Sequence, residues 1–290
     1  MGANPIWTIK SILLWTTGYF KKHEIESPRL DAELLLAHVL KKKRIYLYTD
    51  FEQILNKDEL SVFKEYIQKR VNGFSTAAII GEKEFMGFTL HVNEHVLIPR
   101  PDTETWVEKL LQYHRNDSSL FIADLGTGSG AVLGAFLYYC KAARGIGIDI
   151  SQDALSVAAD NGVRLGIEGR VEWRQGNYTD ALKADEFFDG IVSNPPYIPS
   201  GDISSLSEEV KHEPRIALDG GHDGLDFYRI LGEKASAHLR PGGFLAIEIG
   251  VGQKESVIEI LKEANRYDYF EIITDYGGIE RAIYCRKKLE

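Results

Sequence analysis

The chain has 290 residues, 44% hydrophobic and 27% charged, which suits one large or two ordinary folded domains and excludes a disordered or fibrous protein. Its two cysteines, Cys140 and Cys285, lie far apart with no CxxC or Cys/His cluster, which argues against a disulfide framework or structural zinc. The net charge of −9 is uneven: residues 1–75 carry 12 basic against 9 acidic groups (+3) and residues 76–290 carry 22 against 34 (−12), a balance unsuited to gripping long nucleic acid through its phosphates.

Residues 1–75 read as all-helical. Ser27-Pro28 opens a helix with serine as cap and proline at the first helical position. Leu30, Leu34, Leu35, Ala37 and Leu40 then recur at helical spacing. The run Lys41-Lys42-Lys43-Arg44 suits a solvated helix end. A second amphipathic stretch covers 57–71, and Gly73 and Ser75 punctuate its end. No concentration of catalytic groups falls in this part, so it is expected to be a docking domain. From 76 to 100 the pattern turns extended, through Phe85-Met86-Gly87-Phe88 and Leu90-His91-Val92, and predicts a β-hairpin connector. Pro101 disfavours helical geometry at Arg100, and Asp102 or Thr103 can cap the helix that follows to about His114.

Beyond residue 119 strands and helices alternate. Strands are predicted at 120–125, 144–149, 170–174, 187–193, 243–249, 269–274 and 281–286, with helices at 129–142, 152–163, 226–238 and 252–264. The alternation implies an α/β fold with a doubly wound, mainly parallel sheet over residues 101–290. The long segment 198–225, with four glycines, is expected to be a lid or binding loop.

Two strand ends carry the chemistry. The first strand runs into Asp124-Leu125-Gly126-Thr127-Gly128-Ser129-Gly130, where glycines allow positive φ and close approach of backbone to a ligand. Its GxGxG spacing differs from the dinucleotide GxGxxG. Asp124 would repel a pyrophosphate and attract a cation. Asp149, ending the second strand, can accept hydrogen bonds from ribose hydroxyls. A ribonucleoside bearing positive charge and no phosphate is S-adenosylmethionine. Asn177 and Tyr178, after the third strand, can bond and stack on an adenine, although such a turn is equally common as plain loop chemistry.

Asn194-Pro195-Pro196-Tyr197 ends the fourth strand, at the sheet edge where ligands of open α/β sheets bind. The prolines fix φ and remove two donors, leaving carbonyls to accept. Asn194 adds a side-chain acceptor and Tyr197 a flat face. Such a turn suits a planar NH2 group held still beside a methyl donor, with the Asn194 oxygen and the Pro195 carbonyl as its two acceptors. An amide or a flipped base would both fit. The eight histidines show no metal-ligand spacing, and Glu248 is expected to be a structural partner near the site.

These strings resemble the protein-(glutamine-N5) methyltransferases of peptide chain release factors, the HemK/PrmC family. The matches are EFMG at 84–87, IPRPDTE at 98–104, DLGTGSG at 124–130, SNPPYIP at 193–199, EPRIALDGGHDGLDFYR at 213–229 and LRPGGFLAIEIG at 239–250. Asn177 stands where many such sequences carry an acid, and Asp275-Tyr276-Gly277-Gly278 fits the family pattern loosely. The resemblance implies a class I methyltransferase, Rossmann-like, preceded by a small helical substrate-docking domain. It implies S-adenosylmethionine on Gly126, Thr127, Gly128, Ser129, Gly130, Asp149 and Asn194, supported by Phe85, Arg100, Asn177 and Tyr178. It further implies the glutamine of a release factor's Gly-Gly-Gln loop as acceptor, seated on Asn194, Pro195, Pro196 and Tyr197, with Phe85 and Arg100 beside it. A nucleic-acid methyltransferase acting on adenine N6 or guanine N2 is the alternative, and the acidic catalytic part counts against it. The longest apolar stretch, 131–140, is too short to span a bilayer, and MGANPIWTIK lacks a leader's apolar core, so a cytoplasmic, monomeric enzyme without direct nucleic-acid contact is expected.

Overall fold

The computed structural model describes residues 6–117 and 119–289, so the first five residues of the MGANPIWTIK segment lie outside the described residues. The chain divides into two units at Gly81/Glu82. The first holds helices α1 (Ile9–Lys22), α2 (Pro28–Leu40), α3 (Tyr46–Thr49), α4 (Lys57–Val71) and α5 (Thr76–Ile80). Thr8 with Ser11, and Asn56 with Glu59, form reciprocal capping boxes at α1 and α4, satisfying backbone donors that would otherwise lack partners. Ser27 precedes α2 but makes no side-chain cap; Pro28 alone marks that start. The exposed lysine run does follow a helix end, with Lys41 in the left-handed conformation that closes α2. Residues 76–80, read as extended, form α5 because Ser75 caps Ala78 N–H and Gly81 ends the turn at positive φ. The helical unit therefore runs six residues past the expected boundary at 75.

The second unit opens with the hairpin β1 (Glu82–Phe85) and β2 (Phe88–His91), joined by Met86 and Gly87, both at positive φ as a tight two-residue turn requires. Helix α6 (Pro101–His114) follows, with Arg100 extended before the proline; Asp102 and Thr103 lie inside its first turn rather than capping it. Then come β3 (Phe121–Leu125), α7 (Ala131–Tyr139), β4 (Arg144–Asp149), α8 (Gln152–Arg164), β5 (Val171–Gln175) and β6 (Phe188–Ser193). The chain continues with α9 (Glu208–Lys211), α10 (Asp226–Lys234), β7 (Leu239–Glu248), α11 (Lys254–Glu263), β8 (Tyr267–Thr274) and β9 (Glu280–Lys287). Helix α7 starts two residues later than expected because the glycine turn occupies 126–130. Strand β7 starts four earlier, since Leu239 pairs with Phe188 ahead of a bulge.

Seven strands form one sheet in the order β5-β4-β3-β6-β7-β9-β8, parallel except for β9, which is antiparallel to both neighbours. Side chains alternate between two cores, as the strand period dictates. Ile122, Val192, Phe244 and Ala246 join Trp106 and Phe136 on one face. Ala123, Ile191, Leu245 and Ile247 join Tyr228 and Leu261 on the other. Strand order reverses between β3 and β6, so their carboxyl ends flank the crevice where such sheets bind ligands.

Candidate active site

The glycine turn leaves β3 and is tied to β4: Gly126 N–H and Thr127 N–H both donate to the Ile148 carbonyl, at 2.9 and 2.8 Å. Gly126 and Gly128 adopt φ of +74° and +55°, which a side chain would strain. The Thr127 hydroxyl donates to buried Asp124 at 2.7 Å. Asp149 accepts from Gly128 N–H at 2.8 Å and Ser151 N–H at 2.9 Å, which fixes its carboxylate at the end of β4. Burial pushes Asp124 up to about 7, opposed by the Thr127 hydrogen bond and assisted by the nearby charge of Asp149. Burial likewise raises Asp149, against the backbone N–H groups that favour its charged form.

A cleft of about 1030 Å3, counting its open mouth, begins at this turn. Gly126, Thr127, Gly128, Ser129, Asp149, Asn177, Tyr178 and Asn194 all line it. Tyr178, itself at positive φ, rests on Phe227 with ring centroids 4.6 Å apart. Asn177 sits beside it, exposed. Among the described residues lining the cleft there are two carboxylates and no lysine or arginine, a donor set that disfavours phosphate and suits a cationic ligand. Three expected cofactor contacts are placed elsewhere, Arg100 among them on a second cavity. Gly130 is packed behind the turn, where an added Cβ would meet Trp173 at 3.0 Å and Ala158 at 3.2 Å. Phe85 is fully buried in the core with Leu90 and Trp106, because its strand turns that side inward.

The Asn-Pro-Pro-Tyr turn leaves β6, and the Ser193 hydroxyl donates to the Leu125 carbonyl at 2.5 Å, locking the two strand ends together just before both motifs. A second cavity opens here, with Arg100, Asn194, Pro195 and Tyr197 on one side and Leu206, Val210 and Leu218 of the long loop on the other. Pro196 faces the first cleft instead. Asn194 lines both cavities and stands where they meet. Its Nδ2 donates to Thr103 Oγ1 at 3.4 Å. Tyr197 OH donates to Glu248 at 3.3 Å, and burial first, then the Glu248 charge, holds that phenol well above its usual value. Its backbone carbonyl is held by Gln253 Nε2 at 2.9 Å.

Glu248, 3% exposed, also accepts from Thr103 Oγ1 at 2.6 Å and Trp106 Nε1 at 2.8 Å, and its burial raises its carboxyl above the ordinary range. The expectation of a structural partner is met, but Thr103 and Trp106 were missed. From the sequence Thr103 reads only as a candidate helix cap. A tryptophan on the apolar side of α6, followed far along the chain by an acid ending a strand, was the available signal. Arg100 pairs with buried Glu213 at 2.5 Å, and Glu213 also accepts from Ile98 N–H at 3.1 Å, which fastens the long loop to the strand-like segment before α6. No group of three or more His, Cys, Asp or Glu among the described residues is placed to hold a metal, and no helix among them is long and apolar enough to cross a membrane.

A doubly wound seven-stranded sheet with an antiparallel strand inserted near one edge, and a glycine turn followed by an acid at its first two strand ends, defines a class I methyltransferase. The fold is shared with a methyltransferase from Pyrococcus furiosus at TM-score 0.52 and 20% identity, over 70% of this chain and 90% of that one. Residues 122–212 match the methyltransferase domain family, and residues 11–81 match the PrmC N-terminal domain. The chain is 39% identical over 279 residues to the release factor glutamine methyltransferase of Geobacter sulfurreducens, covering 96% of each. It is 41% identical over 284 residues to that of Bradyrhizobium diazoefficiens, covering 97% of this chain and 95% of the relative. The chain belongs to the release factor glutamine methyltransferase family.

Proposed function

We propose that the protein transfers the methyl group of S-adenosylmethionine to the side-chain amide nitrogen (N5) of the glutamine in the Gly-Gly-Gln loop of peptide chain release factors. The observation that carries this reading is Asn194, the polar side chain shared by two cavities, one walled by the glycine turn and one by Pro195 and Tyr197. When bound, the cofactor supplies an electrophilic methyl group on a sulfonium centre. Gly126 to Ser129 let the backbone approach it, Asp149 accepts from its ribose, Asn177 and Tyr178 border its adenine, and Asp124 favours its positive charge. Gly130 and Phe85 support these walls from behind.

On the acceptor side, Asn194 Oδ1 and the Pro195 carbonyl receive the two amide N–H groups. Holding both orients the nitrogen and favours loss of its conjugation, a positioning effect worth several kcal/mol. As the N–CH3 bond forms and the S–CH3 bond breaks, releasing S-adenosylhomocysteine, the same oxygens and the Tyr197 face stabilise positive charge arriving on nitrogen. No strong general base is therefore needed beforehand, and the extra N–H proton departs to water afterwards. Arg100 completes the acceptor wall, Pro196 closes the cofactor's side of the turn, and the helical unit before Glu82 serves as the docking part for the release factor.

The test is labelling with tritiated S-adenosylmethionine, offering purified release factor, its Gln→Ala variant and nucleic acid. Label in the unmodified release factor alone is expected; label in nucleic acid would overturn the reading in favour of a base-directed enzyme.

A further inference from the structure

Resting on the reading of Asn194 as the acceptor's hydrogen-bond partner, we infer that Trp106, Glu248 and Thr103 are positioning residues that set which way round the Asn194 amide sits, so that its oxygen faces the acceptor. An asparagine side chain has two ends of nearly equal size and opposite hydrogen-bond character. A cradle for an NH2 group works only if the acceptor end points outward. Nothing in the Asn194-Pro195-Pro196-Tyr197 turn itself decides this.

The decision comes from a one-way chain of hydrogen bonds through the core. The indole N–H of Trp106 can only donate, and it donates to Glu248 Oε2 at 2.8 Å. Oε2 must therefore be an acceptor. The same oxygen stands 2.6 Å from Thr103 Oγ1, so the single hydroxyl proton of Thr103 is committed to it. Toward Asn194, 3.4 Å away, Thr103 then has only lone pairs to offer, and the Asn194 Nδ2 end turns to meet them. Oδ1 is left facing the cavities. The polarity holds with Glu248 ionised, and also with a proton on Oε1, where Tyr197 OH can accept instead of donate; a proton on Oε2 would donate to Thr103 and reverse it. The reverse arrangement would put an N–H of Asn194 against the N–H of the acceptor. The chain therefore selects an amide and rejects a carboxylate of the same shape, whose oxygens would meet the Asn194 oxygen.

Thr103→Val keeps shape and removes both roles of the hydroxyl; Thr103→Ser restores them; Glu248→Gln keeps an acceptor at Oε2, because Trp106 still holds the amide oxygen there. With the full chain and purified release factor, kcat is expected to fall at least about tenfold in Thr103→Val. KM for release factor and affinity for S-adenosylhomocysteine should stay within about twofold. Thr103→Ser and Glu248→Gln should stay within about threefold of the parent kcat. An unchanged kcat in Thr103→Val, a Thr103→Ser variant as slow as the valine, or a hundredfold loss in Glu248→Gln with cofactor binding intact would each overturn the inference. If Thr103→Val fails to bind S-adenosylhomocysteine, Thr103→Ala is read in its place. A second readout needs no acceptor: the side-chain amide protons of Asn194, assigned by their loss in Asn194→Ala, should shift in Thr103→Val and stay in place in Thr103→Ser. Their indifference to Thr103→Val would sink the bond chain, whereas failure of the parent to label release factor would sink only the choice of acceptor.

Discussion

On the glycine-turn wall of the cleft, the shaping bonds are short in sequence. Thr127 reaches back 3 residues to Asp124, and Gly128 reaches 21 residues to Asp149 at the end of the next strand. On the Asn-Pro-Pro-Tyr wall they are long. Asn194 is met by Thr103 from 91 residues away, and Glu248 gathers Thr103 and Trp106 across 145 and 142 residues. One wall is backbone held by its own neighbours; the other is a side chain held by the packed core. Changes to the first should therefore act on cofactor affinity or on the pH dependence of stability, and changes to the second on turnover and on stability at any pH.

The largest expected effect lies on the local wall. The folded-state value of Asp124, about 7, is above the ordinary carboxylate value, so the stability associated with its protonated form is complete below about pH 4 and is lost as pH rises to about 7. Its contribution to the slope is roughly 1.4 kcal/mol per pH unit in that window. Asp124→Asn should flatten the pH dependence of denaturant midpoints there; an unchanged slope would show that Asp124 is ionised throughout. Next comes the long-range wall. Trp106→Phe removes a donor from the buried Glu248 carboxyl and should cost about 1–3 kcal/mol of unfolding free energy, with kcat lowered more than cofactor affinity. A fall confined to cofactor affinity would place Trp106 with the wrong wall. The smallest of the three is Gly126→Ala. Positive φ at a residue with a Cβ costs about 1–2 kcal/mol, so S-adenosylhomocysteine should bind about tenfold more weakly while kcat at saturation changes little. Undiminished affinity would mean that the turn does not hold the cofactor in this conformation.

The same contrast explains what could be read from the sequence. The glycine turn, Asp149 and the Asn-Pro-Pro-Tyr corner were legible because each sits at the end of a strand whose period and punctuation are local. The strand spans came within a residue or two except at β7, where Leu239-Arg240-Pro241-Gly242-Gly243 reads as a turn but is held in the sheet by pairing of Leu239 with Phe188. Residues 76–80 fall in the connector that reads as extended, but the Ser75 cap and the Gly81 close make them a helix. Thr103 and Glu213 carry no local signal as site residues, and that of Trp106 is only its place on the apolar side of α6, since the partners of all three lie on other elements. Trp173 is of the same kind: its ring fills the space over Gly130, Gly147 and Gly162, three glycines with no common motif. Phe85 failed as a contact for the opposite reason, since a hairpin aromatic beside a cleft faces either way depending on which side the core takes.

The division of labour between the walls is tested most directly by Asn194→Ala, with turnover on release factor and S-adenosylhomocysteine binding measured on the same preparation. Asn194 touches both cavities but is assigned its work in the acceptor's. Turnover should vanish while cofactor affinity stays within about tenfold, ~1.4 kcal/mol. A collapse of cofactor affinity, or a variant that still methylates at the parent rate, would contradict the account.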